Sequence, residues 1–374
     1  MPVLDEILRK KLANLEEAHA RRTLQEDRLE SPVILRRDKR YVSFGTNNYL
    51  GLTHHPKVIA AGKQALENLG SGGGASRLVT GNHPLYTETE ALLARMKHAA
   101  KALIFGSGYL AHLGVIPALV GKRDVILLDE FSHASMIDAA KLSGAAHFRF
   151  SHNDLADLER LLKTYRTKYE NCLILTESVF SMDGDQAPLF ELNTLSKAYD
   201  SWMLTDEAHL IPTPENQYPA PYIRVGTLSK AIGAYGGYVL GSETLIDYLI
   251  TNARSFIFTT SLPPCVLATA KAALEVIKEE PELCERPLAH ARYFCDLAGL
   301  PSAQSAIVPL ILGGNEKALH ASDSLKENGF LVPAIRPPTV PRGTARLRFS
   351  FSAAHEKADI ARLAALVKGM GERH

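Results

Sequence analysis

Cysteine is scarce in this chain: four residues, Cys172, Cys265, Cys284 and Cys295, in 374, with no C-x-x-C pair and no histidine partner at zinc-ligand spacing. That excludes a disulfide-stapled scaffold and any metal site legible as a motif. It predicts reduced, mostly buried thiols and a cytoplasmic setting. Charge of one sign is also missing, since 42 Lys and Arg face 41 Asp and Glu for a formal net charge of +1. A balanced chain has no general attraction to nucleic acid or to an anionic membrane, so neither is expected as a partner. Long hydrophobic runs are absent too. The most apolar stretch, Leu103 to Val120, is broken by Gly106, Gly108, His112, Gly114 and Pro117, and reads as strand, turn and buried helix, not as a membrane span. The first thirty or so residues mix acids and bases without an apolar core, so neither a signal nor a transit peptide is expected.

What is present is a large apolar fraction, 46% against 22% charged, enough for an extensive core. Leu4, Leu8, Leu12, Leu15 and Ala18 recur at helical spacing and predict an amphipathic opening helix. Arg36 to Lys39 reads as a charged turn, and Tyr41 to Phe44 as a short strand. From about residue 100, apolar runs alternate with helix-length segments: Ala102–Phe105, Val125–Leu128, His147–Phe150, Cys172–Thr176, Trp202–Thr205, Tyr222–Thr227 and Gly237–Gly241. This pattern predicts an α/β fold, a seven-stranded and mainly parallel sheet with helices on both faces. Runs at Ala306–Leu312, Phe330–Ile335 and Ala345–Phe351, then a final helix bearing Ile360, Leu363, Val367 and Met370, predict a smaller α+β C-terminal domain. The expected division is an arm (1–45), a large domain (46–265) and a small domain (266–374).

Gly70 to Ala75 is glycine-rich, yet it follows a helical segment and continues into a loop at Ser76-Arg77-Leu78, which disfavours dinucleotide binding. Gly106-Ser107-Gly108 sits between a strand and a helix, where free amides suit a phosphate. Two neighbouring strand ends are more informative. Trp202–Thr205 leads into Asp206-Glu207-Ala208-His209, and Tyr222–Thr227 into Leu228-Ser229-Lys230. Alone, such a lysine is most often a solvated residue, such an aspartate a cap, and such a histidine structural. Together on one rim they are what a pyridoxal phosphate site requires: an amine for the imine, a carboxylate for the pyridine nitrogen and a donor for the ring oxygen.

An ordered set of segments resembles the α-oxoamine synthases, fold type I pyridoxal-phosphate transferases that join an amino acid to an acyl thioester with loss of carbon dioxide. The segments are Asn47-Asn48-Tyr49-Leu50-Gly51-Leu52, Gly72 to Leu78, Phe131-Ser132-His133-Ala134-Ser135, Phe180 to Asp185, Asp206 to His209, Thr227 to Lys230, Ile335 to Pro341, Thr344 to Arg348 and Ser352 to Glu356. The resemblance implies Lys230 as the Schiff-base lysine, Asp206 at the pyridine nitrogen, His133 stacked on the ring, and His209 and Ser181 about the ring oxygen. It implies a phosphate cup of Gly108, Tyr109 and Thr227, completed by Thr259 and Thr260 of a second copy in a homodimer with shared sites. Arg348 would hold the amino-acid carboxylate, with Arg346 as competitor, since residues two apart on a strand share a face. Arg21, Asn47, His133 and Thr339 would be further substrate contacts. The implied substrates are L-alanine and a pimeloyl thioester of CoA or acyl-carrier protein. Alternatives are a sister synthase using another amino acid or a long-chain acyl-CoA, and a non-catalytic binding protein of the same fold. The chain departs from the family at Leu210-Ile211-Pro212-Thr213-Pro214, where a glycine-bearing continuation is usual, a difference that bears on acyl-chain preference.

Overall fold

The computed structural model describes residues 2–212, 223–368 and 370; Thr213, Pro214 and Tyr222, singled out above, lie outside them. The chain divides into two compact units, one of residues 47–181 and 185–285, the other of 1–46, 182–184 and 286–374.

The larger unit is built on the seven-stranded sheet. Across it the strands run Lys101–Phe105, Gly237–Gly241, Ile223–Thr227, Trp202–Asp206, Cys172–Glu177, Val125–Asp129 and Ala146–Phe150. Only Gly237–Gly241 is antiparallel to its neighbours. Every residue of Val125–Asp129 and Cys172–Glu177 is buried, as strands covered on both faces must be. Their side chains alternate between two cores. Ile126, Leu128, Leu173 and Leu175 join one with Leu103 and Val225; Val125, Leu127 and Ile174 join the other with Leu158 and Leu192.

Six strands end, and the antiparallel one begins, on a single rim. From it emerge Ser107-Gly108, Phe131 to His133, Ser178 to Ser181, Ala208-His209 and Ser229-Lys230. Ligands of such sheets bind at this edge.

The glycine-rich segment has a packing role. Helix Pro56–Leu69 precedes it, and a π-helical turn, Arg77–Gly81, follows where the sequence suggested a loop. A Cβ on Gly73 would lie 2.0 Å from Ser261 Oγ, and one on Gly81 2.2 Å from the Ala75 carbonyl oxygen. Arg77 turns inward, bonding Glu90 at 2.5 and 3.0 Å with its guanidinium over Tyr86.

The smaller unit opens with helix Pro2–Glu17, whose Leu4, Leu8, Leu12 and Leu15 stay exposed. The predicted strand Phe330–Ile335 is two strands. Phe330–Leu331 runs parallel to Lys39–Ser43, while Ala334–Ile335 pairs with Ala345–Ser350, which also pairs with Ile307–Gly313. Pro333 lies between the two and offers no N–H to a ladder. Phe44, Phe294, Phe349 and Phe351 fill this unit's core with Ile360 and Leu363 of helix Lys357–Val367. His355 belongs to the same packing. It stacks on Phe44 at 4.0 Å and bonds the Ser352 amide and the Ser43 carbonyl, and burial pushes it down to about 4.

Candidate active site

Lys230 follows the strand Ile223–Thr227 and places Nζ 2.7 Å from His209 Nε2. His209 is buried, and its Nδ1 lies 2.7 Å from Tyr49 Oη, whose hydroxyl donates to Asn47 Oδ1 at 3.2 Å. One set of protons satisfies all three contacts. Tyr49 donates to Asn47, so its oxygen accepts Nδ1–H from His209; Nε2 is then an acceptor for an N–H of Lys230. The line from Asn47 to Lys230 thus fixes the histidine tautomer.

Asp206 ends its strand with the carboxylate almost wholly buried. Its Oδ1 accepts the Ala208 amide at 2.8 Å, and its Oδ2 lies 3.7 Å from His112 Nε2. On the adjacent strand Glu177 is in register with it. Burial, and then the charge of Asp206, raise the Glu177 carboxyl well above the usual range.

His133 stands at the N-cap of helix Ala134–Ser143, its Nδ1 3.2 Å from the Ser135 amide and 2.7 Å from Ser135 Oγ, and the residue remains exposed above the rim. Ser181, nearly buried, follows the Cys172–Glu177 strand and opens the turn that comes after it.

Helix Gly108–Leu119 begins at Ser107, whose hydroxyl accepts the Leu110 amide while its carbonyl accepts that of Ala111. The amides of Gly108 and Tyr109 have no acceptor within the helix and open toward the rim. A Cβ on Gly108 would stand 3.5 Å from the Gly226 carbonyl, which brings this turn against Thr227. Thr227 Oγ1 donates to the Gly236 carbonyl and lies 2.7 Å from Ser229 Oγ. Tyr109 is partly exposed and bonds Asp138. Thr259 and Thr260 lie beyond helix Arg254–Ile257, next to Ser261, whose amide bonds Ala75.

A twelve-residue helix N-terminus, a buried carboxylate, an exposed flat ring and an amine at the strand end therefore share one rim. These are the parts pyridoxal phosphate needs for its phosphate, its pyridine nitrogen, its face and its aldehyde, and the residues fit it.

The remaining predicted contacts belong to the smaller unit. Arg346 and Arg348 share a face of Ala345–Ser350, both buried. Arg346 is paired with Asp183 and bonds the carbonyls of Met182 and Thr344, whereas Arg348 donates to Ser350 Oγ at 2.7 Å. Arg21 pairs with Glu16 at 2.5 Å; it is the neighbouring Arg22 that reaches Thr339 Oγ1, at 2.9 Å. With His19 and Arg336 these residues line an open cavity of about 610 Å³. Burial, and then the charge of Arg22, lower the Arg336 pKa, as expected of a cation crowded by another.

Tyr49, His112, Ser135 and Glu177 in the larger unit, and Arg22 and Arg336 in the smaller, were not singled out for these places from the sequence. Tyr49 and Ser135 stand inside motifs already noted, so the motifs were the signal. His112 and Glu177 had none, being one residue of an apolar helix and the last of an apolar strand.

The class that this fold and rim define is the fold type I pyridoxal-phosphate enzyme. Residues 39–367 match the aminotransferase class I and II family. The chain is 50% identical over its whole length, and the whole of the other protein, to an 8-amino-7-oxononanoate synthase of Methylobacterium radiotolerans. It is 49% identical to a putative 8-amino-7-oxononanoate synthase of Acidiphilium cryptum, covering 98% of each chain. Among solved structures, serine palmitoyltransferase of S. paucimobilis with a bound PLP–myriocin aldimine aligns with a TM-score of 0.89, 32% identity and 97% and 96% coverage. An 8-amino-7-oxononanoate synthase of Francisella tularensis aligns at 0.74, 27% identity and 88% and 97% coverage. The chain belongs to the α-oxoamine synthases, closely related to 8-amino-7-oxononanoate synthase. It is a pyridoxal-phosphate-dependent acyltransferase, acting on an amino acid and an acyl thioester.

Proposed function

We propose that this enzyme condenses L-alanine with a pimeloyl thioester, on CoA or acyl-carrier protein, releasing carbon dioxide and the thiol to give 8-amino-7-oxononanoate for biotin synthesis. The observation that carries the acyl specificity is the cavity lined by Arg22 and Arg336 beside Thr339, which stays net positive although Arg21 on its wall is paired with Glu16. A pimeloyl chain ends in a carboxylate that such a cavity neutralises; a monocarboxylic fatty acyl chain offers nothing to pair with it.

Pyridoxal phosphate, when bound, supplies an electron-accepting ring that stabilises negative charge on the carbon beside the amino-acid nitrogen. The protein's residues do the rest. Lys230 anchors the cofactor and, once freed, serves as base for the α-proton. Its N–H bond to His209 leaves the amine lone pair to receive that proton. Asp206 would hold a proton on the pyridine nitrogen, with Glu177, its own carboxyl raised by burial and by the charge of Asp206, on the neighbouring strand. His133 offers a face to the ring. The amides of Gly108 and Tyr109 with Thr227 would hold the phosphate, and Ser181 would serve the ring oxygen, with His209 contacting its surroundings while it accepts from Lys230. Asn47 orients His209 through Tyr49. We assign the amino-acid carboxylate to Arg348 on the register of the family motif, with Arg346 engaged by Asp183.

The domain roles follow the same reading: 46–265 for the cofactor, 266–374 for carboxylates, and 1–45 as an arm. A cytoplasmic homodimer is proposed, with Thr259 and Thr260 directed to the partner's phosphate. The apolar stripe of the opening helix, exposed in a single chain, supports association. No helix among the described residues is long and apolar enough to cross a membrane.

The likeness to serine palmitoyltransferase favours a second reading, in which serine and a long-chain acyl-CoA are used. Mass spectrometry of products from alanine or serine with pimeloyl- or palmitoyl-CoA decides between them. The expected product is 8-amino-7-oxononanoate; a product formed from palmitoyl-CoA and serine alone would overturn the assignment.

A further inference from the structure

Behind Asp206 the larger unit buries a second line of polar groups that the reaction as derived above does not use. His112 is fully enclosed on helix Gly108–Leu119. Its Nδ1 lies 2.9 Å from Ser135 Oγ, and the same oxygen lies 2.7 Å from His133 Nδ1. On its other side His112 Nε2 stands 3.7 Å from Asp206 Oδ2 and has no hydrogen-bond partner. The side chains therefore form a row from His133 through Ser135 and His112 to Asp206.

The Ser135 hydroxyl has one proton to place between two imidazoles. If it donates to His112 Nδ1, the neutral ring carries its own proton on Nε2, toward the carboxylate, and the Ser135 oxygen accepts from His133 Nδ1–H. The reverse order aims an imidazole lone pair at a buried carboxylate, which is repulsive where no solvent screens it. The favourable order turns the Nδ1–H of His133 toward the Ser135 amide 3.2 Å away, a neutral contact at the rim, whereas the reverse order sets a lone pair against a full charge in the interior.

We propose that His112 is a positioning residue for Asp206, donating Nε2–H to its carboxylate as a neutral imidazole whose tautomer Ser135 sets. At 3.7 Å the contact exceeds hydrogen-bond length, so the donation requires the two side chains to approach by about 0.5 Å. Neutrality is the point of the arrangement. An imidazolium would cancel the negative charge that Asp206 must present to the pyridine nitrogen, whereas a neutral donor aims the carboxylate and leaves its charge intact. Burial keeps the ring uncharged by pushing it down to about 4, with Asp206 opposing and His133 and Lys230 reinforcing the shift.

The inference rests on Asp206 serving the pyridine nitrogen, and its test separates the two. Apo-protein is titrated with pyridoxal phosphate, and the visible band of the bound cofactor is followed against pH. For His112→Leu we expect binding weakened about 10- to 100-fold, as for other outer contacts that orient a ligand-binding group, with a displaced midpoint of the spectral titration. His112→Gln, which keeps an amide donor near Nε2, should restore most of both, and Ser135→Ala should move both in the same direction as His112→Leu. Unchanged affinity and midpoint in His112→Leu, or a Gln variant no better than Leu, would overturn the proposal. If circular dichroism shows His112→Leu unfolded, Ser135→Ala decides alone: wild-type behaviour overturns the proposal and a displaced midpoint supports it. Asp206→Ala is the control. If it leaves affinity and midpoint unchanged, the assignment of Asp206 fails and this inference with it; if only the His112 variants are silent, this inference alone fails.

Discussion

A lysine is a base only as its neutral amine, and at Lys230 the neighbours decide where its hydrogens point. His209, fixed as an acceptor by Tyr49 and Asn47, takes one N–H and leaves the lone pair for the substrate. Lys230→Ala is expected to abolish the borohydride-sensitive absorbance of the bound cofactor and to lower turnover about 10²- to 10⁴-fold. A variant that keeps this absorbance would place the cofactor on another lysine. At the other end of the proposed substrate, Arg336→Ala should raise KM for a pimeloyl thioester about 10- to 100-fold, the usual cost of losing a charged hydrogen bond. Turnover and the use of a monocarboxylic thioester of equal length should be little altered; equal effects on both donors would remove the cavity from acyl recognition. Lys230, Asp206 and His209 were readable because each follows an apolar run that had to be a strand. His112 and Glu177 were not, since a histidine in an apolar helix and a glutamate closing an apolar strand acquire meaning only when Asp206 is seen beside them.

At the scale of elements, the strand ends and the turns after them carry the site, and the antiparallel strand has a specific part in it. It starts where the other six strands finish, so Gly237 lies against the turn that opens helix Gly108–Leu119. A Cβ there would stand 2.3 Å from the Ser107 carbonyl carbon and 2.4 Å from the Gly108 nitrogen. Backbone cannot yield as a side-chain tip can. Gly237→Ala should therefore displace the phosphate turn, cost about 1 to 3 kcal/mol of stability as overpacking does, and weaken pyridoxal phosphate binding in a direct titration. Wild-type affinity in a folded variant would show that the turn is not part of the cup. All seven strands were visible as apolar runs, but their order was not, because hydrophobicity marks a buried strand without naming its neighbours. The run Phe330–Ile335 was misjudged as one strand for the same reason: its two halves are both apolar, and pairing alone assigns them to different sheets.

For the molecule as a whole, a net charge of +1 says little about where charge lies. In the larger unit His152 is clasped between Asp129, at 3.0 Å, and Asp185, at 2.8 Å, with its ring between Phe131 and Phe180. Burial alone would lower its pKa; the two carboxylate hydrogen bonds outweigh that and raise it to about 10. The folded form thus holds a proton that the unfolded chain releases near 6.5. The stability from this clasp is complete below that pH and is lost as pH rises toward 10. Thermal unfolding between pH 7 and 10 should show the midpoint falling more steeply in the wild type than in His152→Gln; parallel slopes would sink the idea.

The sequence by itself determined the sheet, the cofactor chemistry and the family, because buried strands must be apolar and because the family resemblance is carried by short segments in a fixed order. Tertiary structure alone decided that Arg346 is matched by Asp183, that Arg22 rather than Arg21 reaches Thr339, and that His112 and Glu177 flank Asp206. The reason is physical: a side chain's role in a charged site depends on which opposite charge or hydrogen-bond partner lies within a few ångströms. Residues far apart in the chain fix that distance only once they are folded together.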